Sequence, residues 1–302
     1  MIEDAVETGR SLTLRAPAKV NLFLEVRGRR SDGYHDLRMF LAAVSLFDRL
    51  EVEALPEEGR IEVEVEGAAG VPGGEENLCH RAARIYFAES GVRGGARVRV
   101  AKRVPAGAGL GGGSSDAAAT ILGLERLWHR PLSAAARARC AFGVGADVPF
   151  FFARGPAWVE GIGESVTPAA PFEPLWLVLV HPGAFLSTAR VFSLLTPGLT
   201  SPGAAHTIAQ FNFRGFVEAL RNDLEGTARG LEPRVGEALD LLGAAGAAGR
   251  LMSGSGSSVF GLFPGEEAAR RAGARLEREA GSRGWRVDVV HTLAPGAFPF
   301  VA

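Results

Sequence analysis

The sequence predicts an α+β protein built of two domains. Strand and helix patterns are mixed along its 302 residues, without the strict strand–helix alternation of a doubly wound parallel sheet. A single hydrophobic core stops growing at roughly 250 to 300 residues, so a chain of this length favours two cores. We therefore predict a first domain over residues 1–160 and a second over residues 161–302.

Composition limits the classes of function. Hydrophobic residues make up 47% of the chain and charged residues 22%, which is enough apolar material for a packed core. The 33 basic and 34 acidic residues nearly cancel, so the chain lacks the broad positive field that binding to nucleic acid or to a membrane surface requires. No apolar run approaches the ~20 residues that cross a bilayer, and the acidic start is not a secretory signal. The sequence does not specify the oligomeric state.

The two cysteines indicate the compartment. Cys79 and Cys140 stand apart, with no C-x-x-C spacing. This suits a reduced cytoplasmic chain and supports neither a disulfide framework nor a zinc site.

Alternating polarity predicts an antiparallel sheet in the first domain. From Val20 to Val26, apolar residues at even positions alternate with Lys19, Asn21 and Glu25, which is typical of a half-buried strand. In this arrangement Lys19 and Asn21 lie on one face, opposite the core. The predicted strands cover residues 13–26, 50–55, 61–65 and 96–104.

Capping residues mark the helices of the first domain. Asn77 is a predicted N-cap, and Ser114 or Ser115 is expected to cap the next long helix. The predicted helices cover residues 77–90, 114–128 and 133–142. In the second domain we expect strands at 175–180, 257–263 and 285–291 and helices at 188–195, 207–220, 232–242 and 266–280.

A glycine-rich segment joins the strand 96–104 to the next helix. Five glycines between residues 107 and 113 let backbone amides approach a ligand, and a helix start adds unpaired donors, so the segment predicts a phosphate cradle. A long flexible turn is the alternative, at an entropic cost. No Gly-Lys dipeptide exists, which excludes a P-loop. A G-x-G-x-x-G match at Gly107, Gly109 and Gly112 is weak, because the preceding strand alternates and no acidic residue follows at the required distance.

Lysine is rare in this chain. Of the 33 basic residues only Lys19 and Lys102 are lysines, and both lie in segments that other features mark as candidate binding or catalytic segments. A compact ammonium enters spaces that a planar guanidinium cannot, although drift would also explain a single lysine. Asp147 follows a small-residue turn and precedes an apolar run, so it is either a turn cap or a functional carboxylate beside the core.

Five motifs resemble those of the GHMP kinase superfamily. Their order and spacing are similar to those of its 4-diphosphocytidyl-2-C-methyl-D-erythritol kinase family, and the first two distinguish that family from its relatives. The motifs are Ala-Pro-Ala-Lys-Val-Asn-Leu at 16–22, Asp-Gly-Tyr-His at 32–35, Gly-Leu-Gly-Gly-Gly-Ser-Ser-Asp-Ala-Ala at 109–118, Gly-Ala-Asp-Val-Pro at 145–149 and Met-Ser-Gly-Ser-Gly at 252–256. The resemblance implies a ribosomal-protein-S5-like nucleotide domain followed by a ferredoxin-like domain.

The resemblance also implies an activity. Members of the family use ATP to phosphorylate the 2-hydroxyl of 4-diphosphocytidyl-2-C-methyl-D-erythritol, a step of non-mevalonate isoprenoid precursor synthesis. The residues matching Lys19 and Asp147 form the catalytic pair: the carboxylate accepts the hydroxyl proton, and the ammonium keeps it ionised and neutralises the transferring phosphoryl group. Mg²⁺ is expected with ATP, and its protein ligands are unknown.

The remaining site residues follow from the same resemblance. The nucleotide would be bound by Pro105, Ala106, Gly107, Ala108, Gly109, Leu110, Gly111, Gly112, Gly113, Ser114 and Ser115 with Lys102 and Asn77. The acceptor would be bound by Asn21, Tyr34, His35, Thr188, Phe192, Gly254, Ser255 and Gly256, with the cytosine stacked between Tyr34 and Phe192 and hydrogen-bonded by His35. Asn77 as a plain helix cap, Phe192 as a core residue and residues 253–258 as a tight turn are the alternatives. Asp116 stands where some members have Asn.

Three other functions stay open at this point. Another GHMP kinase would share the glycine loop and the aspartate but should lack the Asp-Gly-Tyr-His motif. A non-enzymatic binding module would not need Lys19, Asp147 and the loop together, and a dinucleotide oxidoreductase is more distant still.

Overall fold

Twelve strands, eight α-helices and two short 3₁₀ helices (Gly74–Glu76 and Pro149–Phe152) make up the described chain. This computed structural model describes residues 11–68, 70–195, 208, 210–296 and 300–301. The strands are β1 (Ser11–Arg29), β2 (His35–Leu55), β3 (Ile61–Glu66), β4 (Gly95–Ala101), β5 (Ala157–Gly161), β6 (Ser165–Pro168), β7 (Trp176–His181), β8 (Arg221–Asn222), β9 (Gly249–Met252), β10 (Val259–Phe263), β11 (Arg286–His291) and β12 (Phe300–Val301). The helices are α1 (Leu78–Ser90), α2 (Gly112–Leu127), α3 (Ala134–Val144), α4 (Thr188–Ser193), α5 (Phe213–Ala219), α6 (Glu225–Leu231), α7 (Pro233–Ala244) and α8 (Glu266–Gly281).

The first sheet is organised by the long antiparallel pair β1 and β2. The order is β12-β1-β2-β4-β3, the β5–β6 hairpin pairs with β2, and β8 adds to β1. The expectation that 61–65 joins antiparallel is wrong, since β3 runs parallel to β4. The physical reason is the connection: helix α1 lies between the two strands, and a crossover of that kind returns the chain in the same direction.

Strand β1 is buried on both faces at its centre, which corrects the prediction of a half-buried strand. Lys19 and Asn21 are themselves buried, at 3% and 1% exposure. The pairing with β2 shifts between Asn21 and Phe23, so a bulge changes the alternation there. After the bulge, Leu24 and Val26 line the same cleft as Lys19. A bulge reverses which positions face a given side, and the sequence pattern alone does not show it.

The helices of the first domain begin at capping residues, with one correction. Asn77 caps α1, its Oδ1 accepting from Cys79 N at 2.8 Å, and Ser133 caps α3, as predicted. Helix α2 begins at Gly112, earlier than the predicted serine caps, because Gly111 takes the left-handed conformation (φ +68°) at the N-cap position. Ser115 N then donates to Gly111 O at 3.0 Å, so Ser114 and Ser115 lie in the first turn.

The second sheet has the order β11-β7-β10-β9, with every neighbouring pair antiparallel. The strands of this sheet and the two helices packed on it, α7 and α8, follow in the order strand, helix, two strands, helix and strand, which is the ferredoxin-like arrangement that the resemblance implies. Helices α4 to α6 and strand β8 are inserted between β7 and α7. Its predicted strands and helices are present within a few residues. Of the predicted helix 207–220, residues 207 and 209 lie outside the described part and α5 begins at Phe213. Helix α6, strand β9 and the β5–β6 hairpin were not predicted.

The two sheets pack against each other through one shared core. Val20, Leu22 and Phe40 of the first sheet belong to the same buried cluster as Leu179 and Phe260 of the second. Helices α1 and α2 cover the opposite face of the first sheet, and α3 packs on α1. The central strands of the first sheet are therefore covered on both faces. The domain boundary at residue 160 stays a prediction. No helix of the described residues is long and apolar enough to cross a bilayer.

Candidate active site

A cleft of about 1610 Å³ opens between the glycine-rich loop and the second domain. Its walls come from the end of β1, the start of α2, the turn before residue 149 and the start of α4. Of the 23 predicted site residues 19 line it, and Asn21, Leu110, Ser115 and Gly256 do not. Those that do are Lys19, Tyr34, His35, Asn77, Lys102, Pro105, Ala106, Gly107, Ala108, Gly109, Gly111, Gly112, Gly113, Ser114, Asp147, Thr188, Phe192, Gly254 and Ser255.

Lys19 lies buried at the inner end of the cleft. Its Nζ donates to Asn21 Oδ1 at 2.6 Å, and its backbone N donates to Leu110 O of the glycine loop at 2.9 Å. Asn21 Nδ2 in turn contacts Met39 Sδ at 3.5 Å. Strand geometry places Lys19 and Asn21 on one face, as the sequence predicted, and the amide oxygen holds the ammonium in position.

Asp147 brings a carboxylate to the same ammonium. Its Oδ2 lies 3.6 Å from Lys19 Nζ, and its side chain is 33% exposed while that of Lys19 is 3% exposed. The preceding turn is closed by a hydrogen bond from Val148 N to Gly145 O at 3.0 Å. Lys19 is therefore held rigidly, and Asp147 faces the open cleft. A proton acceptor for a bound hydroxyl requires this position.

The glycine loop rests on the second small-residue loop. A Cβ at Gly109 would lie 2.0 Å from Ser253 O, and Ser253 Oγ donates to Gly109 O at 2.9 Å. Asn222 Nδ2 donates to Met252 O and Gly254 O, each at 2.8 Å, which fixes the second loop. A Cβ at Gly254 would lie 3.2 Å from Lys19 Nζ. The two loops and Lys19 thus form one packed unit.

The start of α2 provides backbone donors to the cleft. The first helical hydrogen bond is made by Ser115 N, so the amides of Gly112, Gly113 and Ser114 precede it and have no helical acceptor. Gly107, Gly109 and Gly111 all have positive φ, at +62°, +76° and +68°. The helix dipole adds positive potential at the same point, so this end of the cleft attracts phosphate.

Lys102 lies beneath the loop in a buried cluster of charges. Its Nζ lies 2.5 Å from Asp48 Oδ2 and 2.7 Å from Asp116 Oδ2. Burial opposes the charge on the ammonium, but the two carboxylates together raise the pKa of Lys102. Burial raises the pKa of Asp116 to about 7, with Lys102 only partly offsetting it. The Lys102 ammonium is thus paired with two carboxylates. Its contact with a nucleotide stays a prediction.

Asn77 has two roles in the described structure. Besides capping α1, its Nδ2 donates to Pro72 O at 2.8 Å, and the residue lines the cleft beside Pro72 and Leu78. Asn77 is therefore a helix cap, as the alternative interpretation expected. Its contact with the base of a nucleotide stays a prediction.

The acceptor side of the cleft is aromatic. The His35 and Phe192 rings stack with centroids 5.0 Å apart at 27°, while Tyr34 is 62% exposed at the rim. Burial lowers the pKa of His35, so its ring is neutral near pH 7 and keeps one donor and one acceptor nitrogen. Thr188 Oγ1 and Ser255 Oγ lie 2.8 Å apart and join α4 to the second loop.

Several lining residues were not predicted from the sequence. Phe185, 77% exposed, stands over the glycine loop, and a Cβ at Gly107 would lie 2.8 Å from its ring. Leu24 and Met39 reach the cleft through the β1 bulge, and Asn222 acts through the second loop. No pattern in the sequence marked any of these four residues.

The chain matches one family in both halves. Residues 77–155 match the family described as GHMP kinases N terminal domain, and residues 204–283 match GHMP kinases C terminal. A 4-diphosphocytidyl-2-C-methyl-D-erythritol kinase of Citrifermentans bemidjiense is 44% identical over 286 residues, which cover 94% of this chain and 100% of that protein. The kinase of the same name from Geobacter sp. (strain M21) is 45% identical over 287 residues, with the same coverage. The chain belongs to this family.

Solved structures support the assignment. The crystal structure of a 4-(cytidine 5'-diphospho)-2C-methyl-D-erythritol kinase matches with a TM-score of 0.79 and 39% identity over 93% of this chain and 99% of that one. A homoserine kinase from Cytophaga hutchinsonii matches with a TM-score of 0.76 over 100% of both chains at 19% identity, which shows the shared fold alone. The predicted resemblance and the α+β GHMP kinase architecture are thus confirmed, and the chain is a small-molecule kinase of an ATP-using family.

Substitution at Gly111 tests the packing of the loop against Lys19. In Gly111→Ala the new Cβ would lie 2.9 Å from Lys19 Cγ and would occupy a left-handed conformation, at a cost of about 1 to 2 kcal/mol. We expect a lower melting temperature and a kcat reduced at least tenfold, because Lys19 must move. Gly113→Ala is the matched control for stability, since its Cβ meets only Leu78 Cδ1 at 3.5 Å. Equal melting temperatures for the two variants would contradict the packing argument.

Proposed function

We propose that this chain transfers the γ-phosphoryl group of ATP to the 2-hydroxyl of 4-diphosphocytidyl-2-C-methyl-D-erythritol, a step of non-mevalonate isoprenoid precursor synthesis. The observation that carries the proposal is the placement of the Lys19–Asp147 pair. It lies between a loop with unpaired helix-start amides and a wall that bears His35 and Phe192, within one cleft. The names of the relatives supply the substrate.

The nucleotide occupies the glycine-loop side in this proposal. The amides at the start of α2 hold phosphate oxygens, and the glycines let the phosphates come close to the backbone. Asn77 and Lys102, on the α1 side of the same loop, flank the adenosine. Mg²⁺ enters with the phosphates of ATP and neutralises their charge when bound. The described residues include no group of three or more His, Cys, Asp or Glu side chains that could hold an ion, so we assign it no protein ligands.

The chemistry centres on Asp147. Its exposed carboxylate accepts the proton of the acceptor hydroxyl while the hydroxyl oxygen forms a bond to the γ-phosphorus. The bond between that phosphorus and the β–γ bridging oxygen breaks, and ADP leaves. Lys19 Nζ, held by Asn21 Oδ1, faces the point where negative charge passes between the two oxygens.

The acceptor occupies the aromatic side. A cytosine that stacks on Tyr34 and Phe192 would cover the exposed Tyr34 ring, and its polar edge would meet the neutral imidazole of His35. Thr188, Gly254 and Ser255 line the cleft between this wall and Lys19 and would position the rest of the acceptor. Asn21 and Gly256 do not line the cleft; Asn21 would act through the Lys19 ammonium that it holds. The two unpaired buried thiols, Cys79 and Cys140, accord with a cytoplasmic location.

The proposed function is tested by acceptor competition. Purified protein with ATP and Mg²⁺ is given 4-diphosphocytidyl-2-C-methyl-D-erythritol, mevalonate, homoserine or galactose, and ADP release is measured. We expect turnover with the cytidine diphosphate acceptor alone. Robust turnover of mevalonate or homoserine, with none of the cytidylyl compound, would overturn the proposal.

Asp147→Asn tests the general base. The amide keeps the shape but cannot accept the proton, so kcat should fall by about 10²- to 10⁴-fold with little change in the KM for ATP. Lys19→Arg is the companion variant and should also lower kcat. The space next to Gly111, Gly254 and Phe151 fits an ammonium and not a guanidinium. Asp240→Asn, on an exposed carboxylate of the second domain, is the control. A kcat near that of the unmodified protein in Asp147→Asn would make Asp147 a turn residue only.

Phe192→Ala tests the cytosine site. Loss of one stacking ring costs roughly 1 to 3 kcal/mol of binding free energy, so the acceptor KM should rise by about 5- to 150-fold. We expect the same rise for Tyr34→Ala. The KM for ATP should stay unchanged. Leu194→Ala controls for damage to α4, because Leu194 is exposed at the end of the helix and does not line the cleft. If the KM values for ATP and for the acceptor rose together, the cytosine would have to bind elsewhere.

A further inference from the structure

Arg29 lies at the rim of the cleft on the acceptor side. It is the last residue of β1 and stands directly opposite His35 of β2 in the strand register. Side chains in directly opposed positions lie on the same face of a sheet. Both residues line the cleft, and the His35 ring stacks on Phe192. Arg29 therefore stands next to the two rings that would meet the cytosine.

Two neighbouring arginines are paired with carboxylates. Arg27 Nη1 lies 3.1 Å from Glu160 Oε1, and its Nε lies 3.8 Å from Glu25 Oε2. Arg30 Nη2 lies 2.9 Å from Asp32 Oδ2. Neither of these arginines lines the cleft. Their charges are thus compensated within the protein, away from the site.

Arg29 has no such partner. Among the residues that the structure describes, no carboxylate pairs with its guanidinium, and its side chain is exposed. Its charge nevertheless acts on the acceptor wall, since burial and the nearby Arg29 charge both lower the pKa of His35. An uncompensated guanidinium is therefore placed beside the His35 ring.

The lysines of the cleft already have partners. Lys19 Nζ lies 3.6 Å from Asp147 Oδ2, and Lys102 Nζ lies between two carboxylates beneath the glycine loop. Of the described lysine and arginine side chains that line the cleft, Arg29 alone lacks a carboxylate. A negatively charged ligand would supply the partner that the protein does not.

Given the proposed function, on which this inference rests, we propose that Arg29 binds a phosphate oxygen of the acceptor diphosphate and selects acceptors that carry this charged group. With the cytosine against His35 and Phe192, the ribose places the first phosphate only a few bonds from the base, within reach of a long side chain beside His35. A diphosphate that is esterified at both ends keeps a negative charge on each phosphate, and a guanidinium fork matches two phosphate oxygens. Arg29 would thus recognise the charge of the cytidylyl group, and the aromatic rings its base.

A binding titration separates the charge from the base. The nucleotide end of the cleft is first filled with saturating adenylyl imidodiphosphate and Mg²⁺ at low, constant ionic strength, because the glycine loop also attracts phosphates. The dissociation constants of cytidine and of cytidine 5′-diphosphoglycerol are then measured. In Arg29→Gln the diphosphoglycerol compound should bind about tenfold more weakly, because a charge-assisted hydrogen bond is lost, and cytidine should bind as before.

Two further variants control the assignment. Arg27→Gln removes the same charge from β1 at a position where Glu25 and Glu160 pair with it, and should leave the binding of both ligands unchanged. Arg29→Lys keeps the charge without the fork, and should bind the diphosphoglycerol compound more tightly than Arg29→Gln does. Because Arg29 has no carboxylate partner in the described protein, Arg29→Gln should keep the melting temperature of the unmodified protein.

Turnover distinguishes the role of Arg29 from the proposed function. In Arg29→Gln the KM for the acceptor should rise about tenfold, with kcat and the KM for ATP nearly unchanged, because Arg29 binds away from the Lys19–Asp147 pair. If the unmodified protein does not turn over the acceptor, the proposed function is wrong, and the titration still decides the role of Arg29. That role is overturned if Arg29→Gln weakens cytidine as much as the diphosphoglycerol compound or weakens neither, or if Arg27→Gln has the same effect.

Discussion

The contact between the glycine loop and the second small-residue loop is the constraint on which the site depends. At Gly109 there is no room for any side chain, since a Cβ would lie 2.0 Å from Ser253 O. The two loops come from different domains, so their contact sets the position of the phosphate cradle relative to the acceptor wall. Lys19 lies between them, and its own backbone is bonded to Leu110 O. A change at this contact therefore alters the nucleotide side, the acceptor side and the catalytic ammonium together.

Close packing also explains where this chain uses lysine. Gly111, Gly254 and Phe151 surround the Lys19 side chain, and Lys102 lies between the carboxylates of Asp48 and Asp116. Each place accepts a compact ammonium with donors in several directions, and a planar guanidinium would not fit either. The other basic residues are arginines, and many of them lie at the surface in pairs with glutamate. The rare residue type thus marked the two buried cationic positions in the sequence.

Local signals predicted most of the fold and much of the site. Capping residues located α1 and α3, and alternation located β1, β3, β4 and the last part of β2, because both are properties of short segments. Residues 35–49 of β2 were not predicted. The start of α2 was missed because its cap is the left-handed conformation of Gly111, which is visible only once the loop is folded onto Lys19. The parallel pairing of β3 and the bulge in β1 depend on strand partners distant in sequence. Phe185 and Asn222 were missed for the same reason, since only the tertiary fold brings Phe185 over the glycine loop and Asn222 against the second loop.

Asp48 and Asp116 hold Lys102 beneath the start of α2. Asp48 Oδ2 lies 2.5 Å from Lys102 Nζ, and Asp48 Oδ1 accepts from Arg103 N and Val104 N. With Asp116 the cluster has two carboxylates for one ammonium, so it places buried negative charge directly below a loop whose amides must attract phosphate. Burial raises the pKa of Asp116, so this carboxyl takes up a proton more readily than an exposed one, and a proton there would reduce the negative charge beneath the helix start. The electrostatics of the nucleotide end are thus set partly from beneath the loop, by residues that need not touch the nucleotide.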